Sequence, residues 1–489
     1  MLFLGVDAGS SSVKVSLMDA DSGRVIGSAI SPDSEMAIIS GETGFAEQNP
    51  DVWWQSVREA ILKTVDGLNC TSEIAGIGIA YQMHGLVPVD NELSIIRPSI
   101  IWCDSRATET GRRAESTPGK SFCLKRLLNM PANFTLSKLA WMKVNEPELF
   151  SKVKYAMLPG DYISMRMTGE VSTTFTGISE WIAWDYVEHR LSNEIFDAFR
   201  LDSSVMPEAR PSFGNHGVLS EEAAGELGLR PGIPVFYKAG DQPNTAFSLN
   251  VLEPGEAAIT AGTSGVIYLV ADGSADSGSD GINTFLHVNS EEGCQRLGRL
   301  FCLNGAGILY SWLKRLTSPG GGFEEMNTNA ALVPAGSEGL LIYPFGNGAE
   351  RILNNQNVGS SIIDLNFNIH NSSTLYRAAM EAIAFSFRMG LDQMKTSGDK
   401  LTLIRAGMSN MFQSPLFCQI VSDVLRVPLE IYNTDGSLGA ARGAAIGSGK
   451  YTYATAFKNH LVLAKHLPDT ETSEVYDKIY AKWKSKLKQ

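Results

Sequence analysis

The sequence predicts an α/β protein of two domains. Three observations carry that expectation. The 489 residues exceed what one ordinary core organises. Apolar, strand-like runs alternate with segments of helical spacing. A strand followed by a small-residue turn recurs in both halves of the chain.

Residues 2–6 form an apolar run, 7–11 a Gly/Ser turn and 13–18 an alternating run, so the chain opens as a hairpin. Residues 51–65 read as a helix, because Trp54, Val57, Ile61 and Val65 fall at helical spacing behind Asn49-Pro50. Residues 73–81 (EIAGIGIAY) read as a buried strand and 97–102 as another. Pro/Gly punctuation over 229–234 (LRPGIP) precedes a strand at 235–238 that leads into Ala239-Gly240-Asp241. A second Gly-rich turn follows at 261–265 (AGTSG), and 401–406 reads as a third such strand. The boundary is placed near residue 246, giving domains 1–246 and 247–489.

Hydrophobic residues make up 44% and charged residues 19%, a globular balance that argues against disorder. Asp plus Glu number 53 against 41 Lys plus Arg, a formal charge of −12. Such an acidic surface disfavours nucleic acid and anionic membranes as partners. Cys70, Cys103, Cys123, Cys294, Cys302 and Cys418 form no CxxC pair, which points to scattered thiols in a reducing compartment. The start, MLFLGVDAGSSS, lacks a basic segment and turns polar at Asp7, unlike a signal peptide. The weakly polar run 257–271 is too short and too polar to span a bilayer. The expectation is a cytoplasmic protein.

Chemistry concentrates at strand ends. In Asp7-Ala8-Gly9-Ser10-Ser11-Ser12, a glycine turn lets backbone N–H groups face an anion, and the hydroxyls can donate to phosphate oxygens. Asp7 could hold Mg²⁺ through water. An ordinary hairpin turn fits the same residues. Gly262-Thr263-Ser264-Gly265 repeats the logic, and two such turns across a cleft would bracket a polyphosphate. Asp241 ends a strand between them. It fits a general base for an attacking hydroxyl, though composition alone favours a cap on a helix beginning near Pro243. Gln82-Met83-His84-Gly85 offers hydroxyl partners after a buried strand. Trp102 to Arg106 ends the next, where Asp104 and Arg106 fit a ligand site or a surface ion pair. Gly447-Ser448-Gly449-Lys450 hints at a P-loop. Position 444 is Ala, however, and Tyr451 stands where Ser or Thr must bind Mg²⁺, so a helix stop is the better reading.

Together these pieces resemble the FGGY carbohydrate kinases, a branch of the actin-like, hexokinase-like ATPases. The matches run in order: GVDAGSSSVKVSLMD from Gly5, AEQNPDVWW from Ala46, YQMHG from Tyr81, IWCDSRA from Ile101, LPGDYISMRMTGE from Leu158, AGDQ from Ala239, AGTSG from Ala261 and LGAARGAA from Leu438. The resemblance implies two actin-like, ribonuclease H-like domains with a cleft between them, sugar bound mainly by the first and ATP by the second. It implies Asp241 as catalytic base, with Met83, His84, Trp102, Asp104 and Gln242 at the sugar. It implies Gly9, Ser10, Ser11, Gly262, Thr263, Gly407 and Asn410 at the nucleotide and Asp7 at Mg²⁺. YQMHG is most similar to the branch that phosphorylates D-xylulose, and a homodimer stays open. Gln242 departs from that branch's usual Asn, and Arg405-Ala406-Gly407-Met408-Ser409-Asn410 departs from the family's Gly-rich adenosine loop. Gluconate is the second sugar. A non-sugar ATPase of the superfamily and a sugar-binding module without catalysis stand as other classes.

Overall fold

The computed structural model describes residues 1–273, 281–353, 355–395 and 400–487. Its frame is two mixed sheets. The first contains β1 (Leu2–Ala8), β2 (Val13–Asp19), β3 (Val25–Ser31), β4 (Ile74–Tyr81) and β5 (Val235–Gly240), in the order β5-β4-β1-β2-β3. The second contains β6 (Glu256–Ala261), β7 (Gly265–Asp272), β8 (Asn283–Leu286), β9 (Arg296–Leu303), β10 (Leu403–Gly407), β11 (Leu429–Tyr432) and β12 (Val462–His466), in the order β8-β9-β7-β6-β10-β11-β12. The stretch β11-β10-β6-β7-β9 repeats the first sheet strand for strand. In both, a first strand pairs antiparallel with its successor on one side and parallel with a later strand on the other. The near-repeat in the sequence is therefore a repeat of topology.

β1 reads as an almost unbroken apolar run because both its faces are covered. One cover is α1 (Pro50–Val65). It starts at Asn49, whose side chain accepts from the Asp51 N–H, with Pro50 pre-set for the first turn. Its buried stripe holds Trp53, Trp54, Val57, Ala60 and Ile61. Trp53 is fully buried and donates its indole N–H to Gln48 at 3.0 Å. Replacing it with Ala would cost about 3–5 kcal/mol. The other cover comes from far along the chain. The last helix of the strand–helix repeat, Gly436–Gly447, lies directly on β1 and β4. A Cβ on Gly5 would sit 1.9 Å from the Ser437 carbonyl, and one on Gly78 2.0 Å from that of Ala440, so only glycine permits this approach.

Two expectations change and a third holds. The strand over 97–102 shortens to Ser99–Ile100, because Pro98 has no N–H to donate and the Arg97 guanidinium turns to Glu47 and Glu146. The helix expected near Pro243 begins at Asp241 and runs to Ser248, so residue 246 falls inside it. The Gly447–Lys450 stretch ends a helix, and Lys450 pairs with Asp21 at the surface. Among the described residues, no helix is long and apolar enough to cross a membrane.

Candidate active site

The first lobe's strand ends build a pocket around His84. β4 stops at Tyr81, and the chain turns through Gln82 and Met83 to His84, whose backbone is left-handed at φ 62°. Such a conformation strains a residue with a side chain and marks a constrained site. The imidazole packs edge-on to Phe134 at 4.9 Å, and Phe285 of β8 covers it at 5.3 Å from the second lobe. Burial, and then the positive charges of Lys138 and Arg351, hold His84 neutral, well below its usual range. Its Nδ1 is buried with no hydrogen-bond partner. Met83 is buried against β5, where a Cβ on Gly240 would meet its Cγ at 2.7 Å.

Two further residues hold this turn. Glu180 ends a short helix (Phe175–Glu180) and accepts from the His84 N–H at 2.5 Å and from the Tyr81 hydroxyl at 3.3 Å. Lys138, on the helix Thr135–Asn145, donates to the His84 carbonyl at 2.7 Å and the Ile101 carbonyl at 2.9 Å. Neither belongs to a strand-end motif. The one signal for Lys138 was a cation among the buried residues Thr135, Leu136, Leu139 and Ala140. Arg351 was missed as well. Its guanidinium bonds Asn283 at 2.5 Å, two residues before Phe285 on β8, so it reaches the pocket from the second lobe.

The Asp104 expectation is corrected. Its side chain is fully buried and accepts from the Ala46 N–H at 2.6 Å, the Arg106 N–H at 2.9 Å and the Arg106 Nε–H at 2.8 Å. Arg106 is buried too, paired with Glu47 at 2.6 Å. The pair is an internal strut, neither a surface bridge nor a face of the pocket. Trp102, by contrast, is 53% exposed and donates its indole N–H to the Ser10 hydroxyl at 3.2 Å. It links the pocket's rim to the phosphate turn.

In that turn the Gly9 N–H is spent on the Ser12 carbonyl at 3.0 Å, which leaves donation to a phosphate to the serines. Ser11 is exposed, and the Ser10 hydroxyl, accepting from Trp102, keeps its own proton to give. Below lie three carboxylates. Burial, then the charges of Asp241 and Asp435, push Asp7 up to about 7 against the pull of Lys14. Burial pushes Asp241 to about 6, opposed by hydrogen bonds from the Gln242 backbone and side chain. Gln242 thus addresses the Asp241 carboxylate. Asp435 is half-buried and is drawn below its usual range by Lys14 at 2.6 Å and by its cap on Leu438. Asp7 packs against Gly436, where any Cβ would lie 2.1 Å from its Oδ2.

The second lobe holds a cavity of about 780 Å³, within the range of small-molecule sites. Gly262 and Thr263 form one wall, seated on the helix Gly307–Thr317 through Gly307 N–H to the Gly262 carbonyl at 2.8 Å. Tyr310 and Phe323, stacked at 5.9 Å, line the far side with Asn410 and Pro415 opposite. Asn410 takes a left-handed backbone, φ 51°, beside Gly262. Gly407 closes β10 and does not line the cavity. Asp241 lies near this lobe: burial raises the Cys302 thiol of β9, and the Asp241 charge adds to that rise. Among the described residues, no three His, Cys, Asp or Glu side chains gather as a metal cage.

Two ribonuclease H-like lobes with carboxylates on one strand-end surface and a ligand-sized cavity beside it define the actin-like class. The family model for the N-terminal domain of the FGGY family of carbohydrate kinases matches residues 2–248, and that for the C-terminal domain matches residues 257–448. The chain belongs to the FGGY family of carbohydrate kinases. It is 29% identical to a xylulose kinase of Lactococcus lactis, over 99% of this chain and 96% of that one. A xylulose kinase structure from Rhodospirillum rubrum superposes with a TM-score of 0.88 at 23% identity, covering 99% of this chain and 98% of that one. A gluconate kinase structure from Lactobacillus acidophilus superposes almost equally, with a TM-score of 0.87 at 20% identity over 99% and 97%. The family therefore sets the class of enzyme, a sugar kinase, and the fold does not set the sugar.

Proposed function

We propose that the enzyme transfers the γ-phosphoryl group of ATP to D-xylulose, giving D-xylulose 5-phosphate. One observation carries the choice of a neutral polyol. His84 is held uncharged between the apolar walls of Phe134 and Phe285, its buried Nδ1 without a hydrogen bond and 3.9 Å from the Glu180 carboxylate. A sugar hydroxyl would satisfy that nitrogen. The xylulose kinases among the relatives support the same reading.

Asp241 takes the proton of the attacking hydroxyl. Raised to about 6, it is ionised at neutral pH yet basic enough to accept that proton. Ser10, Ser11 and Thr263 donate to the phosphates, and the 780 Å³ cavity takes the nucleoside beside Asn410. Mg²⁺ fits Asp7, because a carboxylate crowded by Asp241 and Asp435 gains from a cation, and Mg²⁺ needs only one or two carboxylates besides phosphates and water. When bound, the metal would neutralise charge on the phosphate oxygens. Sugar in the first lobe and nucleotide in the second follow from this arrangement.

A second reading, an acidic sugar such as gluconate, is favoured by Arg351. It brings a cation to the pocket that the sequence did not reveal. ADP release, measured across D-xylulose, D-ribulose, L-ribulose, glycerol and D-gluconate, separates the two. The expected result is the highest kcat/KM for D-xylulose. Gluconate or glycerol as the best substrate overturns the sugar assignment.

A further inference from the structure

We infer that Lys138 and Glu180 are positioning residues that clamp the two peptide groups flanking the His84 side chain and thereby aim its imidazole at the sugar. The inference rests on the reading of His84 as a sugar contact. The observations form a closed set. His84 holds a left-handed backbone at φ 62°, which a residue with a side chain does not keep without external support. Its N–H is taken by Glu180 at 2.5 Å and its carbonyl by Lys138 at 2.7 Å. The same ammonium holds the Ile101 carbonyl at 2.9 Å and so fixes the spacing between the 81–85 turn and the 101–106 loop.

The cost of this arrangement argues for a purpose. Lys138 is fully buried, and no carboxylate lies within ion-pairing distance of it among the described residues. Burial holds its ammonium down to about 7, although Asp104, Cys103 and Glu180 favour the charged form. Glu180 is 2% exposed and lifted well above the carboxylate range, first by burial, with the Asp241 charge adding to it. Buried ionisable groups spent on backbone atoms are expensive where apolar packing would serve a fold as well. Here both converge on one residue, at the two peptide groups that flank it. The neighbouring Ser179 accepts from the Leu286 N–H of β8 at 3.0 Å, so the clamp's helix is also tied to the strand whose Phe285 covers His84.

The test is a double-mutant cycle read on whichever sugar the wild-type enzyme phosphorylates best, which separates it from the D-xylulose assignment. Lys138→Met is expected to raise the sugar KM by roughly tenfold to a hundredfold, the scale of a small misplacement of a binding group. The KM for ATP should move less than about twofold, the scatter expected for independent sites. In a His84→Ala background the same change should add less than about twofold to the sugar KM, because both act through one ring. Glu180→Gln, which keeps an acceptor for the His84 N–H, should raise the sugar KM less than Glu180→Leu. Equal factors for Lys138→Met in both backgrounds overturn the clamp. So does a Glu180→Gln variant as impaired as Glu180→Leu. A His84→Ala enzyme with unchanged sugar KM overturns the clamp and the sugar site together. Melting temperatures of the Glu180→Gln and Lys138→Met proteins identify any loss that is merely global.

Discussion

In the first lobe, the helix after β5 begins at Asp241; in the second, the helix after β11 is capped by Asp435. The two aspartates hold equivalent places in a repeated topology, and their surroundings push them apart. Asp435, half-buried, accepts from Lys14, from Ser437 and from the Leu438 N–H, and is drawn down. Asp241 has Gln242 and its own backbone N–H to offset its burial and rises to about 6. The same contrast runs through the other strand ends. After β4 the first lobe presents Met83 and His84 to a buried pocket, whereas after β10 the second presents the exposed Asn410 to an open cavity. One scaffold thus yields a polar, charge-tuned surface in one lobe and a nucleotide-sized receptor in the other. Function follows the local electrostatics of each site more than its place in the fold.

The sharpest way to break the comparison is to neutralise each aspartate in turn. Asp241→Asn should lower kcat by about 10²–10⁴-fold, the usual span of general-base catalysis. ATP binding, followed by calorimetry, should persist. Asp435→Ala should instead show itself in the melting temperature, since a lost helix cap costs about 1 kcal/mol. If Asp241→Asn kept more than about a tenth of wild-type turnover, the base would be another group.

The second test separates the lobes by ligand. Thr263→Ala removes a donor from the cavity wall without touching the His84 pocket. A hydrogen bond to a charged group is worth roughly 1.5–3 kcal/mol, so the KM for ATP should rise on the order of tenfold to a hundredfold. The sugar KM should hold. A rise in sugar KM alone would mean that the cavity does not serve the nucleotide.

Much of this division could be read from sequence because strand-end motifs are local. GVDAGSSS, AGDQ and AGTSG carry both the turn and its chemistry within a few residues. What escaped came from contacts made across the chain. Lys138 and Glu180 act on His84 from 54 and 96 residues away, and Arg351 and Phe285 arrive from the other lobe. Asp104 looked like a ligand because its partner Ala46, 58 residues earlier, cannot be seen from its own segment. The expected strand over 97–102 failed at its start, where Pro98 lacks an N–H and Arg97 turns to Glu47 and Glu146.

The acid limb of the pH profile sharpens the contrast further. Asp241 must be ionised to accept a proton, and its value in the folded protein is about 6. As pH falls through that value the base is lost. kcat/KM for the sugar should therefore drop towards tenfold per unit below about pH 6. Gln242→Leu removes one of the hydrogen bonds that oppose this rise, so it should move the midpoint upward. A midpoint that falls, or stays where it was, would show that Gln242 does not address the Asp241 carboxylate.

The smallest expected effect concerns how the lobes meet. The sugar side is already bridged: Phe285 covers His84, the Leu286 N–H reaches the Ser179 hydroxyl, and Asn129 donates to the Thr284 carbonyl at 2.6 Å. The phosphate turns are less enclosed, for Ser11 and Thr263 are both exposed. Phosphoryl transfer needs both turns around one polyphosphate with water excluded. Closure should therefore pivot about the bridged side and bring the 9–12 and 262–265 turns together. A compact chain of this length has a radius of gyration of about 23 Å. Solution scattering should show a smaller radius with sugar plus a non-hydrolysable ATP analogue than with either ligand alone. An unchanged radius, with calorimetry proving both sites filled, would mean that the lobes are preset and that small loop movements do the enclosing. In that case Asn129→Ala, which loosens the bridged side, should leave turnover at the wild-type level. Under the pivot it should lower kcat while the ATP KM stays constant.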